Sequence, residues 1–172
     1  MGIFKKIIFL AVLVLIAYFV AQQFGILGGA SAIQNIDSKY GIGEGKLVPG
    51  TSEELENYER ELKGVNASGK EKALKELKLE LVGMQKEMIL LQENASRINF
   101  NEPNCAVSGA IVLTRKNAEN ALSHLENAVA KKEAVRGLEG FSYINGTIFS
   151  ETLQSVKASL SNQINVLKTV CA

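Results

Sequence analysis

The chain contains few residues whose types and spacing could support catalysis. His124 is its single histidine, and the residue three positions before it is Ala121, so no Glu-x-x-His motif of a di-iron bundle exists. A zinc site would need further cysteine and histidine ligands, and no serine stands in a Gly-x-Ser-x-Gly turn. The glutamates are interleaved with lysines, which is typical of a solvated helix surface. We therefore expect no enzyme activity, no cofactor and no metal site.

A glycine-rich stretch, Gly41 to Lys46, invites comparison with a phosphate-binding loop. The motif Gly-x-x-x-x-Gly-Lys-Ser/Thr would place its first glycine at Tyr40 and a magnesium-binding hydroxyl at Leu47. Neither position carries the required residue. The sequence therefore does not predict nucleotide binding.

Three Asn-x-Ser/Thr sequons are candidate glycosylation sites. Asn66 and Asn145 fall in predicted loops, where a glycan could be attached. Asn94 falls within a predicted helix and is less convincing. We expect Asn66 and Asn145 to be the sites used if the host glycosylates asparagine.

An uncharged apolar run, residues 7–21, follows directly after Lys5 and Lys6. Basic residues remain on the cytoplasmic side of a membrane-targeting segment, so the rest of the chain is expected outside the cytoplasm. In one interpretation, residues 7–29 are a retained transmembrane anchor. In the other, they belong to a signal peptide cleaved after Ala32, since Ala30–Ala32 has the small-x-small form of a cleavage site. A buried core helix of a cytosolic domain is a third alternative.

Composition favours an all-α fold and argues against nucleic acid as a partner. The chain has no Trp and two Pro, and it is rich in Glu, Lys, Leu and Ala, which are good helix formers. The formal net charge is +1, and it becomes −1 once Lys5 and Lys6 are subtracted. No basic patch of the kind that binds nucleic acid remains.

The spacing of glycines and apolar residues divides the chain into three regions. Residues 1–32 are the anchor or signal peptide, residues 33–50 a glycine-rich linker, and residues 51–172 an extracytoplasmic helical domain. Within that domain we predict an antiparallel bundle of three long helices and one short one. The predicted helices span residues 52–63, 69–99, 105–136 and 147–170.

The helix predicted over 69–99 carries a seam of apolar residues with alternating spacings of three and four. Its members are Leu74, Leu77, Leu81, Met84, Met88, Leu91, Ala95 and Ile98. The stripe is widened by Leu79, Val82, Ile89 and Leu90, which favours a bundle over a two-stranded coiled coil. Alternatively, part of this helix stays exposed and pairs with a protein partner or a second copy of the chain.

The two cysteines, Cys105 and Cys171, are expected to form a disulfide. An isolated pair in an oxidising compartment is most simply a bridge, and neither cysteine has a Cys-x-x-Cys neighbour. If helices 105–136 and 147–170 form an antiparallel hairpin, the two residues lie at the same end of it. The alternative is a pair of unpaired buried thiols.

These observations predict a non-catalytic protein of the cell envelope, tethered by one membrane segment or secreted, that acts in structural or protein–protein interactions. A ligand-sensing or solute-binding helical ectodomain is the alternative. It would need polar groups inside the bundle, and Thr114 and Gln163 are the only polar candidates in the predicted seams. An envelope hydrolase would require a catalytic cluster near His124.

Overall fold

The computed structural model describes residues 31–43, 45–98 and 109–170, and within these ranges the protein is an all-α helical bundle. The predicted all-α class is therefore confirmed. The predicted membrane segment 7–29, Cys105 and Cys171 lie outside the described residues. No helix inside them is both long and apolar enough to cross a membrane. The helices are α1 (Ala32–Tyr40), α2 (Ser52–Gly64), α3 (Gly69–Ala95), α4 (Gly109–Lys132), α5 (Ser142–Asn145) and α6 (Thr147–Val170), and a 3-10 turn (Glu133–Val135) extends α4.

The long helices α3, α4 and α6 form two consecutive antiparallel hairpins. Polar contacts between successive helices establish their register, because the residue number rises along one helix as it falls along the next. It follows that α3 and α6 run parallel, with α4 between them in sequence. We call the end where α3 begins, α4 ends and α6 begins the lower end, and the opposite end the upper end. The contacts are Glu76–Lys131, Glu80–His124 and Glu87–Asn117 between α3 and α4, and Glu126–Lys157 and Ser150–Lys132 between α4 and α6.

The core is concentrated in the lower half of the bundle. There α1, α5 and the turn after α4 pack against the long helices, and α2 lies along α3 from Lys75 to Ile89. Three of the six buried residues of α4 are alanines, whose small side chains allow close helix packing. The fully buried residues of the three long helices include Leu74, Leu77, Ala118, Ala121, Leu125 and Ala128.

The prediction of a linker over residues 33–50 is wrong in its first half. Residues 32–40 form α1, because Ile33, Ile36, Asp37 and Tyr40 recur at helical spacing and share one face that packs on the bundle. Gly41 ends the helix at φ 64°, a left-handed conformation that glycine adopts without strain. Of the glycines in the predicted linker, Gly41 is this cap, and Gly43, Gly45 and Gly50 follow it.

Other boundaries differ by a few residues. The helix predicted over 69–99 ends at Ala95, and the described part of the helix predicted over 105–136 runs from Gly109 to Lys132 before tightening into the 3-10 turn. The helix predicted over 147–170 coincides with α6. The predicted loop between α4 and α6 contains the four-residue helix α5, whose Ile144 is buried.

Candidate functional site

His124 lies at the rim of the α3–α4 interface and pairs with one carboxylate. Its Nδ1 is 2.7 Å from Oε2 of Glu80, and its side chain is half-exposed. The ring lies over Gly83 of α3 so closely that a methyl group there would stand 2.7 Å from ring atom Cε1. Within the described ranges no group of three His, Cys, Asp or Glu residues could hold a metal ion.

The two polar residues assigned to the seams do not face an internal binding site. Thr114 is buried, and its Oγ1 donates a hydrogen bond to the Ala110 carbonyl oxygen of its own helix at 2.7 Å. Gln163 is exposed, so its prediction as a polar layer of the seam is wrong. Ile164 occupies the core position instead, because a straight helix with 3.6 residues per turn drifts away from a strict heptad.

The predicted glycosylation sites are both on the surface. Asn66 is exposed in the turn between α2 and α3, and Asn145 is exposed at the end of α5. Asn94 is half-buried, and its Nδ2 donates to Oδ1 of Asn117 at 3.0 Å. Use of Asn66 and Asn145 stays a prediction.

Sequence reasoning missed a buried ion pair near the lower end. Asp37, the chain's only aspartate, lies on α1, and its Oδ2 is 2.7 Å from Nζ of Lys78 on α3. The side chains of Lys78 and Asp37 are only 1 % and 5 % exposed. The sequence did carry one indication of this burial. Lys78 falls four residues after Leu74 and four before Val82, which places it on the apolar face of α3.

Two tyrosines complete this group, which we call the buried polar cluster: Asp37, Tyr58, Lys78 and Tyr143. The Tyr58 hydroxyl donates to Oδ1 of Asp37 at 2.6 Å, and the Tyr143 hydroxyl donates to Oδ2 of Asp37 at 3.1 Å. Lys78 Nζ also donates to the Tyr143 hydroxyl at 2.6 Å. The cluster therefore joins α1, α2, α3 and α5 through one carboxylate.

Burial changes the acid–base properties of this cluster. It lowers the pKa of Lys78, because loss of hydration outweighs attraction to Asp37. It raises the pKa of Tyr58 and of Tyr143, and the nearby Asp37 carboxylate adds to both effects. A lysine with a lowered pKa is a potential nucleophile. Among the described residues, the pocket that Tyr143 lines has a volume of only about 30 Å³, room for little more than a water molecule.

The seam of α3 is fully buried in the lower half and only partly covered by the described residues in the upper half. Leu74, Leu77, Leu81 and Met84 are buried, whereas the seam residues from Met88 onward are only half-buried. There α3 and α6 enclose an open groove of about 350 Å³, which we call the upper groove. It is lined by Met88, Leu91, Gln92, Ala95, Val156, Ser159, Leu160 and Gln163.

A second groove of about 590 Å³ lies between α4 and α6. Leu125 and Leu153 are buried at its floor, and Val129 is half-exposed beside them. Lys132 and Lys157 line it as well, so this groove is more charged than the upper groove.

The residues expected to widen the α3 stripe divide between core and surface. Val82 is buried in the core, Leu79 and Ile89 are half-buried against it, and Leu90 is exposed. Other exposed large apolar residues lie on α4 and α6. They are Val112, Leu113, Val129, Ile148 and Val166.

Comparison of the chain with protein-family models, with curated proteins and with solved structures finds no match in any of the three. The geometry itself offers two kinds of feature. The buried polar cluster is sealed and internally paired, and the two grooves are open. An open groove of this kind can hold a ligand or a partner noncovalently.

Proposed function

We propose that the chain is a non-catalytic, membrane-tethered helical-bundle protein of the cell envelope that binds an amphipathic helix of a protein partner in its upper groove. One observation carries this proposal. The seam of α3 continues with the same apolar spacing beyond Met84, where the described residues of the bundle cover it only in part.

The shape and chemistry of the upper groove suit a helix. Met88, Leu91 and Ala95 on α3 recur at spacings of three and four, and Val156 and Leu160 present a similar edge on the parallel helix α6. A helix inserted between two such edges packs by the same knobs-into-holes geometry as a bundle helix. It would complete a four-helix arrangement in the upper half.

The rim of the upper groove indicates how such a helix would be selected. Its polar lining residues, Gln92, Ser159 and Gln163, carry no charge. Shape and buried apolar area would therefore govern affinity, and neutral hydrogen bonds would form at the edge of the groove. The centres of many protein–protein interfaces are likewise poor in charged residues. The ligand-sensing alternative has less support, because Thr114 is satisfied by its own helix and Gln163 is exposed.

Retention of residues 1–32 as an anchor is supported by the start of α1. The side chain of Ser31 accepts a hydrogen bond from the backbone N–H of Gln34 and so caps the helix. Cleavage after Ala32 would remove this cap and create a charged amine on Ile33, which is fully buried. Secretion after cleavage would therefore weaken the attachment of α1, whereas an uncleaved segment preserves it.

Intact mass and fractionation of the native protein test the tether. We expect a full-length mass in the membrane fraction, resistant to alkaline extraction, with the helical domain digested when protease is added to intact cells. A mass beginning at Ile33, or a domain protected in intact cells and digested only after lysis, would contradict the tether.

Site-specific photo-crosslinking tests the upper groove. A photoreactive amino acid at Leu91 should form an adduct with a second polypeptide in native membranes, and the same probe at the exposed Lys72 of the same helix should not. Ala95→Glu should abolish the adduct while preserving helical content, and Asn127→Glu, on the exposed surface of α4, should leave it intact. An adduct of twice the chain's own mass would assign the groove to a second copy instead of a heterologous partner. Equal labelling at both positions would refute binding there.

A further inference from the structure

Helix α1 depends on the bundle for its own stability. It has nine residues, too few to persist alone in water. Its attachment rests on buried Ile33 and Asp37, with Ile36 and Tyr40 partly buried beside them. The chain that follows α1 contains an isolated β-bridge between Gly43 and Lys46, and it places Ile42 in the core with Leu47 and Val48 partly buried against it. Release of α1 would therefore have to include this short segment as well.

The buried polar cluster divides unequally between α1 and the bundle. Asp37 belongs to α1, whereas Tyr58, Lys78 and Tyr143 belong to the elements beneath it. Detachment of α1 would remove Asp37 and admit water to Lys78 at the same time. Neither charge would then be left buried without a partner, which is the outcome that makes broken buried ion pairs so costly.

The remaining contacts of α1 with α2 lie nearer the surface. Tyr40 packs edge-on against the Tyr58 ring with 5.2 Å between centroids, and its hydroxyl donates to Oε1 of Glu61 at 2.8 Å. Lys39 contacts the same carboxylate, and its side chain is 61 % exposed. Exposed pairs of this kind contribute little, so the Asp37–Lys78 pair is the main polar attachment of α1, beside the apolar burial of Ile33.

We propose that α1 and the segment that follows it to Gly50 form a releasable strap: they detach from the bundle together when the Asp37–Lys78 pair is broken, while α2, α3, α4 and α6 remain folded. In the attached state, the bundle would lie directly beside residue 31, where the preceding chain joins α1. In the released state, about twenty further residues, 31–51, would join the bundle to whatever precedes them. This flexible chain has a typical end-to-end distance of about 25 Å and a fully extended length of about 70 Å. The consequence for distance from a membrane, unlike the release itself, rests on the proposed tether.

Hydrogen exchange measured by mass spectrometry on the full-length chain tests the strap. In Asp37→Asn, exchange of peptides within 32–40 should accelerate by about a hundredfold or more, because Lys78 loses its counter-charge. Peptides within 74–84 of α3 should keep their protection. Lys78→Met should give the same pattern, since release would hydrate the unpaired Asp37. The matched control is Glu61→Gln at the exposed α1–α2 contact, which should change exchange less than about fivefold.

The unmodified protein offers a test that needs no variant. At low denaturant concentration, α1 should open with a smaller free energy than residues 74–84 and expose less surface as it does so. Simultaneous acceleration of 32–40 and 74–84, or no acceleration in either variant, would overturn the strap.

A second readout separates the strap from the tether. With full-length protein in lipid nanodiscs, a fluorescent probe at exposed Ser123 should move away from labelled lipid in Asp37→Asn and remain in place in Glu61→Gln. If exchange shows release but this distance does not change, the strap holds and the membrane tether fails.

Discussion

Leu77 and Leu91 occupy equivalent positions of one seam, two heptads apart on α3, and they differ in what covers them. Leu77 is fully buried beneath the elements that gather at the lower end. Leu91 is half-buried at the edge of the upper groove. The two halves of the bundle thus share a sequence pattern but differ in packing.

This difference shows what an apolar pattern does and does not specify. The spacing of apolar residues determines which face of a helix avoids water, and the same spacing runs through both halves of α3. Whether the cover comes from the same chain depends on the connecting segments. In the lower half α1, α2 and the α5 region supply that cover. The described residues supply none over the upper groove, which is why we assign that groove to a partner helix.

Truncation of the two equivalent leucines should give the largest contrast. Leu77→Ala should lower the free energy of unfolding by about 2–5 kcal/mol, since it leaves a cavity in closely packed surroundings. Leu91→Ala should cost less than about 1.5 kcal/mol, because water already reaches that site. Urea unfolding of both variants measures the difference. Equal losses would mean that the upper half is as tightly packed as the lower half.

The predicted disulfide would strengthen the open half covalently. The antiparallel register of α4 and α6 brings the start of α4 and the end of α6 to the upper end, and Cys105 and Cys171 are close in sequence to these two ends. Cys171→Ser should cost about 2–4 kcal/mol through the gain in entropy of the unfolded chain.

Further changes to the cysteines provide the control. Cys105→Ser should cost the same as Cys171→Ser, and the double variant should cost no more than either one. Reduction of the native protein should add the mass of two hydrogens. An unchanged mass on reduction would refute the bridge and would leave the upper half held by noncovalent contacts alone.

The buried polar cluster predicts a smaller effect that depends on pH. Tyr58→Phe removes a hydrogen bond to a carboxylate and should cost about 1.5–3 kcal/mol at neutral pH. The pKa of Tyr58 is raised in the folded protein, so the stability that its hydroxyl contributes is fully present below the unfolded value of 10.0 and is lost as the pH rises beyond it. The cost of Tyr58→Phe should therefore shrink by about 1.4 kcal/mol for each pH unit above about 10.

Two comparisons isolate this pH effect. Lys78 acts in the opposite direction, since its lowered pKa makes stability increase with pH just below the unfolded value of 10.5. Both wild type and Tyr58→Phe contain Lys78, so the difference between them reports Tyr58. The Tyr40 hydroxyl donates to Glu61 nearer the surface, so Tyr40→Phe should lower the free energy of unfolding by less than Tyr58→Phe does at neutral pH. A Tyr58→Phe cost that stays constant to high pH would contradict the raised pKa.

A structural feature could be predicted from the sequence where it depends on residues that are close together along the chain. The limits of α6 coincide with the prediction because Gly146 precedes an uninterrupted apolar repeat. The apolar face of α1 was equally local, but the surrounding glycines obscured it. The pairing of Asp37 with Lys78 joins residues far apart in sequence, and no helical or strand period links them. The upper groove is also nonlocal, because a seam residue carries no mark of what will cover it.

Gly83→Ala should have the smallest effect on stability. It probes the α3–α4 interface at the level where the lower and upper halves of the bundle meet. Alanine in place of glycine within a helix should stabilise by about 1 kcal/mol. The new methyl group would meet the His124 ring, which must turn outward and give up its contact with Glu80. This exposed contact contributes less than about 1 kcal/mol, so the net change should be near zero. In a His124→Ala background the full gain should appear, and urea unfolding of the four proteins of this double-mutant cycle measures the difference. If Gly83→Ala destabilises equally in both backgrounds, the close approach of the α3 and α4 backbones, rather than the histidine ring, is what requires glycine there.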